Sequence, residues 1–406
     1  STVLCSFSAV NGIELRAAGA TFTSNATFTN SADRAAIFRF DGVDNLTIGD
    51  FRGRYTGTRS TCTGGFVATC GFVFAYFRNL NRNIVIGNLD VSDYSVPLWF
   101  HTDVANPLSN GSRNIRVANV RAATTGYGLL THRSGHGIDI RIDFDGGTRA
   151  CQVQDTLGPS KIVVKSRNHT GSNDCGFSGD IRDWDITYVN TESNVGIEMG
   201  RALGIHYTVP DAAAVRYARN IKTRFDIYTS GATFLVRCFT LGLSVGDTGA
   251  GSDPNYFLDN IDVSGTCQSD SASQQGIVVD FPSAWISGSN LSGLHFHDIL
   301  LSGGGNTSFD LRGLRNLALL ENISSGANIQ VRGNTVGMIT LLRVKAPEVF
   351  SSTSNAEDTF VELINSEITT GSQLNLGYNY TRRMLTNTLV AGVIQSKHYL
   401  RSQGLQ

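Results

Sequence analysis

Apolar residues alternate with polar ones over four to six positions along most of the chain, and each run stops at Gly, Asn or Asp. A period of two places successive side chains on opposite faces of an extended segment, so the pattern predicts many short β-strands. Only DAAAVRYARN at 211–220 has a helical look. One phrase recurs: an amide or turn residue, an apolar pair, then a second short run containing Asp or Arg. It reads NLTIGDFRG at 45–53, NIVIGNLDVSD at 83–93 and NIRVANVRA at 114–122. Later versions are IRDWDITYVN at 181–190, YFLDNIDVSG at 256–265, LSGLHFHDILLSG at 291–303 and RNLALLENISSG at 315–326, with GMITLLRV and TFVELINSEITTG following.

Between these phrases runs a second ladder of apolar-x-apolar triplets. Its members include Phe38-Arg39-Phe40, Leu98-Trp99-Phe100, Cys151-Gln152-Val153, Ile197-Glu198-Met199, Phe234-Leu235-Val236, Phe309-Asp310-Leu311 and Ile329-Gln330-Val331. The flanking residues are expected in the core and the middle one outside. Two ladders with irregular insertions, repeating every ~20 to 40 residues, predict an all-β parallel β-helix. A propeller would need evenly spaced blades, and a β-sandwich rarely needs a chain this long.

Composition sharpens this picture. The 406 residues include 44 Gly but only 7 Pro, as in a chain that turns often while pairing in regular strands. That length ordinarily suggests two or three domains, but a repeat architecture absorbs it in one body. The expectation is one elongated β-helix over 1–370, with 371–406 capping the last coil or touching a neighbouring chain. A net charge of -1 gives no electrostatic footprint for nucleic acid or an anionic membrane. The 41% hydrophobic fraction excludes a disordered chain. No apolar run approaches the ~18 residues of a membrane-spanning helix. The opening STVLCSFSAVNG lacks the basic leader of a signal peptide and starts as if a segment had been removed ahead of it.

Seven cysteines occur without a CxxC pair, so metal fingers and thioredoxin-type chemistry are not expected. Cys62 and Cys70 bracket a loop that a disulfide would close; the other reading of the cysteines is as small buried apolar residues. No DxD or ExxH cluster marks a Ca²⁺ or Zn²⁺ site, so neither metal nor cofactor is expected. Asn-x-Thr triplets such as Asn25-Ala26-Thr27, Asn45-Leu46-Thr47 and Asn168-His169-Thr170 are chance products of an Asn- and Thr-rich chain. Asn at the turns is better explained by its tolerance of left-handed backbone and by side-chain stacking.

The phrases resemble the right-handed parallel β-helix of the pectate-lyase-like superfamily, and within it the shafts of bacteriophage tailspikes and capsule depolymerases. GIELRAAGATFTSNATF followed by AAIFRFDGVDNLTIGDFRG is similar to the first coils of such shafts. The resemblance implies binding and cleavage of a bacterial surface polysaccharide (capsule, exopolysaccharide or O-antigen) by hydrolysis or β-elimination. It also implies a homotrimer, placed extracellularly or on a virion tail through a missing N-terminal part. The alternative is a non-catalytic glycan-binding or structural fibre on the same fold.

Glycan hydrolysis needs an acid to protonate the leaving oxygen and a second carboxylate to attack or activate water. The outward positions of the second ladder are expected to be Trp99 and His101, Leu130 and His132, Gln152 and Gln154, then Glu198. Asp155, Asp174 and Glu198 form the candidate acid trio, with Glu198 as proton donor. His132, Arg133 and Arg201 would position an acidic sugar beside His101. Trp99, Phe77 and Tyr127 would stack on sugar rings or form a trimer contact, and Phe77, Leu130, Leu235 and Val278 would form an outward apolar stripe. Gly135-His136-Gly137 is similar to the GHG motif of polygalacturonase-like hydrolases. His101-Thr102-Asp103 precedes it, but no adjacent Asp pair lies between, so GHG is expected to be a turn.

Overall fold

The computed structural model describes residues 3–17, 19–25, 35–57, 72–103, 108–169, 173–190, 201–207, 216–229, 238–243, 256–269, 276–280, 291–303, 307–312, 318–332, 337–351, 359–370, 382–390 and 393–399. They form 28 β-strands, and no α-helix occurs among the described residues. The helical expectation at 211–220 fails where it is visible: Arg216–Asn220 opens the strand Arg216–Thr229. There Tyr217 and Ala218 pair with Phe257 and Leu258, and this cross-strand packing overrides a weak local propensity. Residues 211–215 lie outside the described residues. Contacts divide the chain into two units, Ser1–Glu192 and Ser193–Gln406.

In the first unit, parallel pairing runs in three ladders. One joins Val3–Ser8, Ala35–Asp41, Phe72–Arg78 and Val96–His101 to the far end of Arg113–His132 and the middle of His136–His169. The second joins Asn11–Leu15 and Asp44–Ile48 to the near ends of the later, longer strands. The third joins Thr21–Ser24 and Phe51–Tyr55 to the end of Arg82–Ser92 and the middle of Arg113–His132. The recurring phrase therefore spans two ladders. Its apolar pairs align residue by residue, Leu46 with Ile84 and Ile84 with Ile115, and Ile138 of the next strand continues the row beside Ile115. All four are buried, and each such side chain is worth about 1.5–3 kcal/mol on leaving water.

Asparagines mark the same turns. Asn45, Asn83 and Asn114 have φ of 54°, 53° and 57°, a region Asn tolerates because its short amide bonds locally. Their amides form a ladder: Asn45 donates to Asn11 at 2.9 Å, Asn83 to Asn45 at 3.1 Å and Asn114 to Asn83 at 3.2 Å. Inside, Phe7, Phe40, Phe77 and Phe100 stack in a column, with ring centroids 5.3, 4.8 and 4.6 Å apart. Phe77, expected outward, is thus a core residue. It occupies the strand position of Phe40 and Phe100, whose side chains share its face.

In the second unit, one ladder runs through Arg216–Thr229, Tyr256–Ser269, Leu291–Gly303, Ala318–Ser325, Gly337–Leu342 and Thr359–Ile364 to Arg382–Val390. Another runs through Arg201–Tyr207, Phe239–Leu243, Ile277–Asp280, Thr307–Arg312 and Asn328–Arg332 to Val349–Ser351. Both are parallel. At the C-terminal end Val393–Tyr399 turns back antiparallel on Arg382–Val390 and so pairs an edge of that strand. In the triplets Phe309-Asp310-Leu311 and Ile329-Gln330-Val331 the flanking residues are buried as expected, but so are the middle ones.

Among the described residues four cysteines are buried, and they are paired: Cys151–Cys175 links register partners on adjacent strands, and Cys238–Cys267 forms a second disulfide. Both bridges were missed, because each depends on which strands become neighbours. Cys62 and Cys70 lie outside the described residues.

Candidate functional site

The first ladder of the first unit has two faces. Leu98 and Phe100 point into the core, so Trp99 and His101 project from the other side. Register fixes two columns on that side. One is Arg39, Tyr76, Trp99, Leu130, Gln152 and Gly176; the other is Asp41, Arg78, His101, His132, Gln154 and Ser178. Trp99, Leu130 and Gln152 are neighbours on consecutive strands, and so are His101, His132 and Gln154, as the sequence alignment required.

Burial departs from the expectation. Trp99 is only 2% exposed and packs in an apolar cluster with Ala36, Val73, Tyr76, Val96, Tyr127 and Leu130. Its ring lies 5.0 Å from that of Tyr76. Trp99 and Tyr127 are therefore covered rather than open to a sugar ring, and Leu130 is removed from the outward apolar stripe along with Phe77. Leu235 and the Val278 side chain lie outside the described residues.

The polar column ends on a bonded group. His101, 4% exposed, has Nδ1 at 3.4 Å from the Tyr76 hydroxyl and 3.7 Å from Oδ1 of Asp103. Arg78 donates to Oδ2 of Asp103 at 3.0 Å. That hydrogen bond is the main reason its guanidinium pKa is raised. The half-buried His132 ring lies 5.2 Å from that of His101. Arg133 follows at φ 54°, half-buried, its N–H donated to the Gln154 carbonyl at 3.0 Å. Arg149 donates to Gln152 at 2.8 Å, and Arg39 lies 3.3 Å from Asp41. The face thus gathers guanidiniums, the carboxylates of Asp41 and Asp103 paired with two of them, amides and two imidazoles, a set that suits hydrogen bonding to sugars and proton transfer. Arg78 and Tyr76 were not singled out from sequence; their signal was the register with Trp99 and His101.

Of the acid trio, only the Asp155 side chain lies among the described residues. Asp155 is 4% exposed and has φ of 48°. Its Oδ1 accepts the backbone N–H of Asp180 at 2.9 Å, so one oxygen is committed to holding the adjacent strand. Asp174 belongs to the strand Asn173–Asn190 and Arg201 opens Arg201–Tyr207, but both side chains, and all of Glu198, lie outside the described residues.

Gly135-His136-Gly137 was expected to be a turn, but only Gly135 precedes the strand: His136 and Gly137 open His136–His169, with both glycines at positive φ of 82° and 62°. The buried imidazole donates from Nε2 to the Leu108 carbonyl at 2.9 Å and accepts the Leu157 N–H on Nδ1 at 2.9 Å. On the third ladder, a groove of about 470 Å³ is lined by Arg121, Asp143, Asp145, Lys165 and Arg167. Two of its charges are paired: Arg167 lies 2.8 Å from Asp145 and, with Asn168, holds that carboxyl below its ordinary range.

Compared with known proteins, the chain matches no family model, no curated protein and no solved structure.

Proposed function

We propose that the chain is a right-handed parallel β-helix of the tailspike and depolymerase type, which binds and cleaves an acidic bacterial surface polysaccharide. The observation that carries this reading is the register-aligned column Asp41–Arg78–His101–His132–Gln154, with Asp103 and Arg133 beside it. Sugars offer hydroxyls and, when acidic, carboxylates; guanidiniums and side-chain amides bind both in directional hydrogen bonds. His132 is the more accessible imidazole of the pair and is suited to move a proton at the glycosidic bond or at C5 of a uronic acid. Homotrimeric assembly, attachment to a virion tail and an extracellular setting belong to the same proposal. The buried disulfides support that setting, because such bonds persist in oxidising surroundings.

The second reading, a non-catalytic glycan-binding fibre, is favoured by one observation: Asp155 is buried on backbone rather than poised on the face. The two readings separate in one experiment. Acidic bacterial polysaccharides are incubated with the protein, and reducing ends, unsaturated products and bound polymer are measured. Products that disappear in His132→Gln support cleavage; binding without products supports the fibre; neither overturns both.

A further inference from the structure

The second unit carries a different cluster of titratable side chains. In the strand Leu291–Gly303, Leu294 and Phe296 are buried, so the period-two rule sends His295 and His297 out from the other face. The neighbouring strand Tyr256–Ser269 places Asp262 in register with His295 and Ser264 in register with His297. One carboxylate thereby meets both imidazoles: Oδ2 of Asp262 lies 3.3 Å from Nδ1 of His295, and Oδ1 lies 3.1 Å from Nε2 of His297. One donor atom from each of the three residues falls within 4.8 Å of the others. In a tetrahedral zinc site with bonds of about 2.0–2.1 Å, donor atoms stand about 3.3 Å apart, so small side-chain rotations suffice to close this set on an ion.

A second observation points the same way. A metal-bound imidazole usually gives its other N–H to a carboxylate, which fixes the ring and raises its basicity. Both histidines have such a partner on the side away from Asp262. Nε2 of His295 lies 3.3 Å from Oε2 of Glu321, and Nδ1 of His297 lies 2.9 Å from Oδ2 of Asp298. The carboxylates are themselves held: Arg343 pairs with Glu321, and Asn322 donates to Asp298 at 2.9 Å. Two imidazoles, one shared carboxylate and an outer carboxylate on each ring form the layout of a two-layer metal centre. Side-chain exposures of 34%, 24% and 32% for His295, His297 and Asp262 leave the donors open to solvent on one side.

We propose that Asp262, His295 and His297 bind a divalent transition-metal ion of the Zn²⁺ class. Glu321 and Asp298 orient the two imidazoles. Three protein donors leave a coordination position for water or an anionic oxygen ligand. Hard ions such as Ca²⁺ and Mg²⁺ are disfavoured, because two of the three donors are nitrogen.

The test uses the full chain, freed of metal by chelation and dialysed. Zn²⁺ is titrated by calorimetry, and Co²⁺ is added as a spectroscopic probe. The expected result is one tight equivalent per chain and a visible Co²⁺ spectrum of low coordination number. His297→Gln and the double variant His295→Gln/His297→Gln should lose that equivalent, with circular dichroism unchanged from wild type. Glu321→Gln should weaken binding by about 10–100-fold while keeping the stoichiometry. The proposal is overturned if wild-type protein takes up no ion, or if the folded double variant binds Zn²⁺ as wild type does. Should the double variant fail to fold, Asp262→Asn and Glu321→Gln decide in its place, and wild-type affinity in both overturns it.

Discussion

Asn83 donates its side-chain amide to Oδ1 of Asn45 at 3.1 Å, and the two residues occupy the same left-handed backbone region, with φ of 53° and 54°. Each asparagine thus does two things: it allows the turn and ties that turn to the preceding one. The Asn83 amide also reaches Asp44 at 3.0 Å. Asn83→Ala should lose both contributions and cost about 1–3 kcal/mol in urea unfolding, whereas Asn83→Gly should recover the backbone part. Equal losses in the two variants would show that φ does not matter here.

His136 gives the fold a pH dependence. Burial, the largest cause, lowers its pKa, although the hydrogen bond to Leu108 works against this. The unfolded chain, with an imidazole pKa near ~6.5, then binds more protons than the folded chain as pH falls. The contribution of His136 to stability is full above that value and is lost as pH falls through the folded pKa. Unfolding midpoints should drop between pH 7.5 and the acid side, and His136→Ala should flatten this part of the profile. An unchanged slope in the variant would contradict the assignment.

Trp99 is a packing residue, so Trp99→Ala should destabilise the protein by about 3–5 kcal/mol. His132→Gln, at a half-buried position on the same face, should change stability by no more than about 0.5 kcal/mol. If Trp99→Ala instead kept its melting temperature and lost glycan binding, the indole would be a sugar platform after all.

Asp155 separates a structural from a chemical role. Asp155→Ala orphans the buried N–H of Asp180 and should cost about 1–3 kcal/mol. Asp155→Asn keeps an acceptor and a residue at ease with φ of 48°, so it should cost less. Loss of cleavage with no loss of stability in Asp155→Asn would restore this residue to the chemistry.

The legible parts of the fold were those written in single strands. Leu46, Ile84 and Ile115 announced their alignment because each follows a turn residue and starts the same apolar pair, whereas Ile138, which continues the row, lies outside the recurring phrases. Alternation also placed His101 beside His132, since both end an equivalent run. It could not show that the face bearing Trp99 is covered, because alternation names a face and says nothing of what packs on it. Nor could it bring Asp262 to His297, which are 35 residues apart and meet only through strand register. The disulfide between Cys151 and Cys175 was hidden for the same reason.

The central claim is that the His101–His132 face recognises an acidic polysaccharide, and binding measured directly on that face tests it. Wild-type protein and the variant Arg78→Ala/His132→Gln are compared on immobilised acidic bacterial polysaccharides at low and high salt. The account predicts wild-type binding that weakens with salt and falls at least ~10-fold in the variant, with the melting temperature nearly unchanged. Equal binding by both proteins, or no binding by wild type to any acidic polymer, would contradict it.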